Sequence, residues 1–211
     1  SEMLQEDAIA DGNTDAARDQ GMIVTSGKHL LGMVNDVLDL SKIEAGHLQL
    51  HLESFEVRPL LQAVMSTAQP LVERNANRLE LSHPEDLGWM TGDTTRLRQV
   101  LLNLLSNAIK FTLPSGKVSA QIIESEPGRA SVEVSDNGIG MTPEEVLVAL
   151  QPFRQVDNRI ERRVGGAGLG LPIAKALAEL QGGSLEIDSV PGRGTRVRVT
   201  FLSTRVTGRA A

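Results

Sequence analysis

The chain has 211 residues, 40% of them hydrophobic and 23% charged, with a formal net charge of −6; that length buries a full core, and the balance excludes collagen-like, disordered and coiled-coil-only chains. An acidic balance and 2% aromatic residues argue against a nucleic-acid partner, whose phosphates need clustered Lys and Arg and whose bases need stacking platforms. With no Cys there is no disulfide framework, thiol nucleophile or Cys-bound zinc, so any metal must be held by oxygen or nitrogen. No long apolar run predicts a membrane span and the first residues do not read as a signal peptide, so a cytoplasmic chain without membrane contact is expected.

Residues 1 to 20, rich in Asp and Glu, read as a short helix end followed by an acidic polar loop of poor order. From Met22 to Leu40 a heptad pattern sets in, with Ile23, Leu30 and Val37 seven apart and Met33 and Leu40 interleaved, the seam a helix offers to partner helices. A linker is expected at Ser41–Gly46, which divides the chain into a helical segment, 1–46, a second domain, 47–205, and a short tail, 206–211. In the second domain strands are predicted at Arg78–Ser82, Val118–Glu124, Ala130–Ser135, Ser184–Asp188 and Thr195–Leu202. Helices are predicted at Pro59–Asn75, kinked at Pro70, and at Thr94–Phe111, Pro143–Leu150 and Leu171–Leu180. Strands and helices in this order predict an α+β fold, a two-layer sandwich in which a mixed sheet is covered on one face by helices.

Three places carry chemistry. Laid out at about 100° per residue, Thr94–Phe111 has an apolar stripe of Leu97, Val100, Leu101, Leu104, Leu105, Ala108 and Phe111, with Asn103, Asn107 and Lys110 in a narrow arc along its edge. Two amides and an ammonium on that border either face solvent or hold a ligand, and an amide oxygen suits Mg²⁺, a hard cation that takes its other ligands from water and phosphate. Next, the strand ending at Asp136 runs straight into Asn137-Gly-Ile-Gly140. This is either a plain Asp-Asn-Gly turn or a carboxylate aimed into a cleft, with Gly138, Ile139 and Gly140 as a wall for a flat ring. Finally, Gly165-Gly-Ala-Gly-Leu-Gly170 opens a helix, where free N–H groups and the positive helix end can hold an anionic phosphate, unless the loop is only a hinge. It lacks the strand of a dinucleotide fingerprint and the Gly-Lys-Ser/Thr ending of a Walker loop. Upstream, Phe153–Val164 carries Arg154, Arg159, Arg162 and Arg163, the composition of a lid over a charged ligand.

In order, these pieces resemble the ATP-binding catalytic region of bacterial sensor histidine kinases, part of the GHKL superfamily with gyrase B, heat-shock chaperone and mismatch-repair ATPases. Leu97–Thr112 is similar to the family's N box, Asp136–Met141 to its first glycine box, Pro152-Phe153 to its F box, Gly166–Leu171 to its second glycine box, and Gly192–Thr195 to its closing glycine element. The resemblance implies ATP and Mg²⁺ as cofactors and the family's Bergerat-type fold. It implies that Asn107 ligates the metal, that Lys110 contacts phosphate, that Asn103 orders metal-bound water or phosphates, and that Asp136 accepts from the adenine amino group. Gly138, Ile139, Gly140, Gly166, Ala167, Gly168, Leu169, Gly170 and Leu171 would line the pocket, Phe153 would anchor the lid, and Thr195 would lie near the adenine. Residues 21 to 46 resemble the second helix of the family's dimerisation hairpin, which implies a homodimer in the full-length protein and a response-regulator receiver domain as partner. The family's phosphoacceptor box is not matched at His29, His47, His51 or His83. The reading is therefore the donor half of a two-component phosphotransfer, with a regulatory nucleotide-binding module and a hydrolytic ATPase as the alternatives.

Overall fold

The structure is a computed structural model that describes residues 3–4, 9, 13–85, 87–126, 129–156 and 167–202. It divides into two compact units, Ser1–Gly46 and His47–Ala211.

In the first unit Met3, Leu4 and Ile9 are helical, and the long helix α1 spans Thr14–Glu44. The helix therefore begins inside the segment expected as an acidic loop. Asn13 explains this: its side chain accepts from the Ala16 N–H at 3.1 Å, and Asp15 in the first turn meets the positive helix end. The helix also runs through Ser41–Glu44, which was expected as linker. Ser41 turns its hydroxyl back to the Val37 carbonyl at 2.9 Å, and the chain leaves the helix only at Gly46, whose φ of 68° is the left-handed exit that glycine allows. Ile23, Leu30 and Val37, the heptad positions, are exposed, as are Met22, Leu31, Val34 and Leu38.

In the second unit a five-stranded sheet has the order β2-β4-β5-β7-β6. Its strands are β2 (Arg78–Ser82), β4 (Lys117–Glu126), β5 (Arg129–Asp136), β6 (Ser184–Val190) and β7 (Gly194–Leu202). β2 and β4 are parallel and the other pairs antiparallel, so the sheet is mixed. A separate two-stranded ribbon pairs β1 (Glu53–Glu56) with β3 (Trp89–Gly92). Neither ribbon strand is predicted from the sequence, because four residues are too few for an alternating pattern to stand out.

The helices are α2 (Val57–Arg74), α3 (Thr94–Phe111), α4 (Pro143–Ala149) and α5 (Gly170–Leu180). α3 packs on α2, on α5 and on β4 and β5. Register places Val132 opposite Val199 and Val134 opposite Val197 and Ala120, and Ala120, Val132 and Val134 on the sheet line one apolar space with Leu101 and Leu105 of α3 and Leu61 and Val64 of α2. Because α3 has neighbours on both sides, its buried arc is wider than the predicted stripe: Ile109 is fully buried while Phe111 is half-exposed. α2 continues past Pro70 to Arg74; the proline ring deletes one backbone bond without ending the helix. Its buried positions Val57, Leu61, Val64, Ala68 and Val72 keep the helical spacing throughout.

Candidate functional site

α3 is set in place at its first turn. Asp93, nine-tenths buried, accepts from the Arg96 N–H with one carboxylate oxygen and from the His51 N–H with the other, both at 3.0 Å. Its own N–H donates to Gln181 at the end of α5 at 3.3 Å. The carboxylate thus ties the start of α3 to the segment that leads into β1, and the Asp93 backbone N–H ties it to the end of α5. Nothing in the sequence pattern marks this role beyond an Asp before a helix, since its second and third partners lie far away in the chain.

Two turns along α3, Asn103 donates through Nδ2 to the Gly170 carbonyl at 3.2 Å. A Cβ on Gly170 would come within 3.5 Å of Asn107 Nδ2 and 3.7 Å of Asn103 Cγ. Asn103 and Asn107 therefore face the first residue of α5, half-buried, and the arc read from sequence meets the second glycine cluster in space. Lys110 follows, its ammonium 5.0 Å from the Phe111 ring centroid. Among the described residues no side chain caps the start of α5, which leaves the Gly170 and Leu171 N–H groups there without a cap bond, Pro172 having no N–H.

At the other end of the site Asp136 closes β5. Its Oδ1 accepts from the Gly138 N–H at 2.8 Å and the Thr195 N–H at 3.3 Å. Burial pushes the carboxyl above the ordinary Asp range, while the Gly138 and Thr195 amides pull it partly back. Among the described residues no donor is found on Oδ2. Thr195 follows Gly194 at the start of β7, so the strand end and the closing glycine turn share one carboxylate oxygen.

The glycines between are required by the chain itself. A Cβ on Gly138 would collide with the Phe111 carbonyl at the end of α3, and one on Gly140, at φ 65°, with the Val190 carbonyl at the end of β6. Ile139 lies between these approaches, its N–H on the Phe111 carbonyl at 3.2 Å and its carbonyl on the Gly192 N–H at 2.7 Å. Gly168, at φ 68°, sits 2.6 Å from the Arg154 carbonyl by the same measure and accepts from the Phe153 N–H at 3.2 Å. Phe153 itself has φ 61° and is 60% exposed. Ala167 and Leu171 are half-buried, and the Leu169 side chain lies in the core at 2% exposure; Leu169 can therefore offer a ligand only backbone. Gly166 and the lid arginines Arg159, Arg162 and Arg163 lie outside the described residues.

Among the described residues no group of three or more His, Asp or Glu could hold a metal. The donor set along α3 is amide oxygens with one ammonium beside them, which fits a hard cation that takes most of its ligands from phosphate and water.

A mixed sheet with helices on one face, a carboxylate at a strand end and amides facing a glycine-led helix define the two-layer nucleotide-binding class. Residues 92–205 match the family of histidine kinase-, DNA gyrase B- and HSP90-like ATPases, and the chain belongs to that family. It is 39% identical over 216 residues to the cell-division control histidine kinase PdhS of Brucella anthropi, covering 98% of this chain and 20% of that protein. The PdhS of Brucella abortus strain 2308 is similar at 38% over the same length, with 21% of it covered. The chain thus spans about a fifth of the length of these curated relatives. Among solved structures, full-length ShkA in complex with AMPPNP superposes with a TM-score of 0.76 at 28% identity, over 94% of this chain and 40% of that one. The histidine kinase AdeS of Acinetobacter baumannii matches at TM-score 0.71 and 20% identity, over 95% and 92% of the two chains, a likeness of fold. No helix among the described residues is long and apolar enough to cross a membrane.

Proposed function

We propose that this chain is the ATP-binding catalytic part of a sensor histidine kinase, and that it donates the γ-phosphoryl group of ATP to a His on a hairpin not complete in this chain. The observation that carries the reading is the facing of Asn103 and Asn107 on α3 to Gly170 at the start of α5. In this reading Asp136 Oδ2 accepts from the adenine amino group, and Ile139 with its flanking glycines forms a wall beside the ring. Thr195 lies at the base, and Phe153 and residues 167–171 carry the lid and the phosphate cradle. Asn107 holds Mg²⁺ through its amide oxygen, and Lys110 contacts phosphate. Mg²⁺ supplies neutralisation of charge on the phosphate oxygens.

Transfer forms a bond between phosphorus and an imidazole nitrogen and breaks the bond from phosphorus to the β–γ bridging oxygen, whose electron pair leaves with ADP. The residues of this chain position and neutralise. Asn103 is an amide, cannot take a proton at neutral pH, and already donates to Gly170; it therefore orders phosphates or water without serving as the general base that hydrolysis needs. The exposed Ile23, Leu30 and Val37 of α1 suit pairing in a hairpin homodimer, and a response-regulator receiver domain would take the phosphoryl group onward in the cytoplasm.

Calorimetry should show Mg²⁺-dependent binding of ATP, with Asn107→Ala weakening the Mg²⁺ dependence. If that variant keeps the full wild-type response to Mg²⁺, the metal role fails. With γ-labelled ATP the isolated chain should bind nucleotide and stay unlabelled, and adding a hairpin with an intact His box should produce acid-labile label on the hairpin. Rapid phosphate release without a hairpin would favour the hydrolytic reading, and acid-labile label on the chain itself would make one of its four His the acceptor.

A further inference from the structure

Where β5, β6 and β7 end together, backbone meets backbone. A Cβ on Gly140 would collide with Val190, and one on Gly194 with the Asp136 carbonyl, so side chains are excluded from between the three strand ends. Besides Asp136, whose Oδ1 accepts from the Thr195 N–H, the Ser189 side chain reaches across the junction. The Ser189 hydroxyl on β6 lies 2.8 Å from the Met141 N–H at the end of the first glycine loop, 2.8 Å from Thr195 Oγ1 and 3.2 Å from the Gly194 carbonyl.

A hydroxyl has one hydrogen and two acceptor sites. The Met141 N–H takes one acceptor site of Ser189. All three contacts are hydrogen bonds together in just one arrangement: Thr195 donates to Ser189, and Ser189 donates to the Gly194 carbonyl. Were Ser189 to donate to Thr195 instead, the contact to Gly194 would carry no hydrogen and the Thr195 hydrogen would need a new acceptor, a costly choice in a half-buried site. In the full arrangement the Thr195 hydroxyl hydrogen is spoken for, and its oxygen presents only lone pairs. The Thr195 backbone N–H is engaged as well, on Asp136 Oδ1 at 3.3 Å. Thr195 Oγ1 then presents an acceptor on the residue whose N–H holds Asp136 Oδ1, the other oxygen of that carboxylate being a second acceptor.

We propose that Ser189 is a specificity-determining positioning residue: by accepting the hydroxyl hydrogen of Thr195 it keeps Thr195 an acceptor, so that the site prefers a 6-amino purine to a 6-oxo purine. The inference rests on the nucleotide reading above and adds a residue that touches no nucleotide. A purely structural role for Ser189 would weaken all nucleotides alike. The proposed role predicts a change in discrimination, because a freed Thr195 hydroxyl can turn and donate to a 6-oxo group.

The test is calorimetric titration of the full chain with ATP and with ITP, which differ at the 6-position and in the proton on N1, in wild type, Ser189→Ala, Ser189→Cys and Ser189→Thr. Ser189→Ala should bind ATP more weakly and lose about threefold to tenfold of the ATP-over-ITP preference, the range for one hydrogen bond. Ser189→Thr, which keeps the hydroxyl, should restore the preference. Ser189→Cys, close in size and a weak hydrogen-bonding group, should fall between and serves if the alanine variant does not fold. An unchanged ATP-to-ITP ratio in folded Ser189→Ala or Ser189→Cys overturns the inference while leaving the nucleotide reading intact. Failure of the wild type to bind ATP at all would overturn both.

Discussion

The two ends of the candidate site are built from different materials. At the base end the ends of three strands and a glycine loop meet main chain to main chain: Ile139 is held from both sides by backbone bonds to Phe111 and Gly192, and Asp136 is held by two amides. At the end that the proposed reading gives to the phosphates, the groups are side chains of α3 facing the first backbone of α5, and Asn103 bonds across the two helices to the Gly170 carbonyl. A main-chain junction has few ways to move without breaking several bonds together, whereas helix-borne amides can re-aim by rotamer changes alone. In the proposed reading, selection of the base falls to the stiff end and handling of the phosphates to the adjustable one.

The largest expected effect comes from wedging the stiff end. Gly140→Ala places a methyl group against the Val190 carbonyl at a positive φ and should cost about 3 kcal/mol of stability, read by denaturant unfolding. Gly192→Ala, also at positive φ (75°) but with nothing within 4 Å, should cost only about 1 kcal/mol for the backbone conformation. Equal costs would mean that close approach is not what requires glycine at 140. Asp136→Ala should next lose roughly 1–3 kcal/mol of ATP binding in calorimetry; unchanged affinity in a folded variant would remove the carboxylate from the base site.

At the adjustable end, Asn103→Ala removes a single bond to Gly170 and should cost about 1 kcal/mol of stability in denaturant unfolding, with a smaller loss of ATP affinity than Asp136→Ala. A loss as large as that of Asp136→Ala would show the two ends to be equally stiff. The smallest effect is that of pH. Burial raises the Asp136 carboxyl above its ordinary range, so the folded protein binds that proton more readily than the unfolded chain does. Lowering the pH through the raised value relieves the burial cost to the fold but turns Oδ2 from acceptor into donor, so ATP affinity should decline there. Subtracting the profile of Asp136→Asn cancels the titration of the nucleotide phosphates, and a flat difference would show that the carboxylate does not meet the base.

Long, strongly patterned elements were legible from the chain alone. Arg78–Ser82 and Thr94–Phe111 have the predicted bounds, and the other predicted strands and helices of the second unit are found within a few residues, because their apolar period reflects burial on one face. The short ribbon strands, the helical Thr14–Gln20 segment and the helical Ser41–Glu44 segment were not, since a cap such as Asn13 or a back-bonded Ser41 acts through single bonds that leave no period. Asn103, Asn107 and Lys110 were legible as an arc of one helix, whereas their facing to Gly170 was not.

By itself, the sequence determined which groups this protein has to work with: the amides along α3, the carboxylate at the end of β5, and glycines where the main chain must turn. Local pattern suffices for that, because periodicity and turn chemistry are properties of neighbours in the chain. Only the tertiary structure decided what those groups do to one another. The glycines at 138, 140 and 194 prove to be places where α3, β5, β6 and β7 touch, and Asp93 proves to join α3 to α5 and to His51. Ser189, one of several serines in the chain, becomes the single hydroxyl that links Met141, Gly194 and Thr195. Each of these rests on contacts between residues distant in sequence, and only packing of the folded core brings such residues within hydrogen-bonding reach.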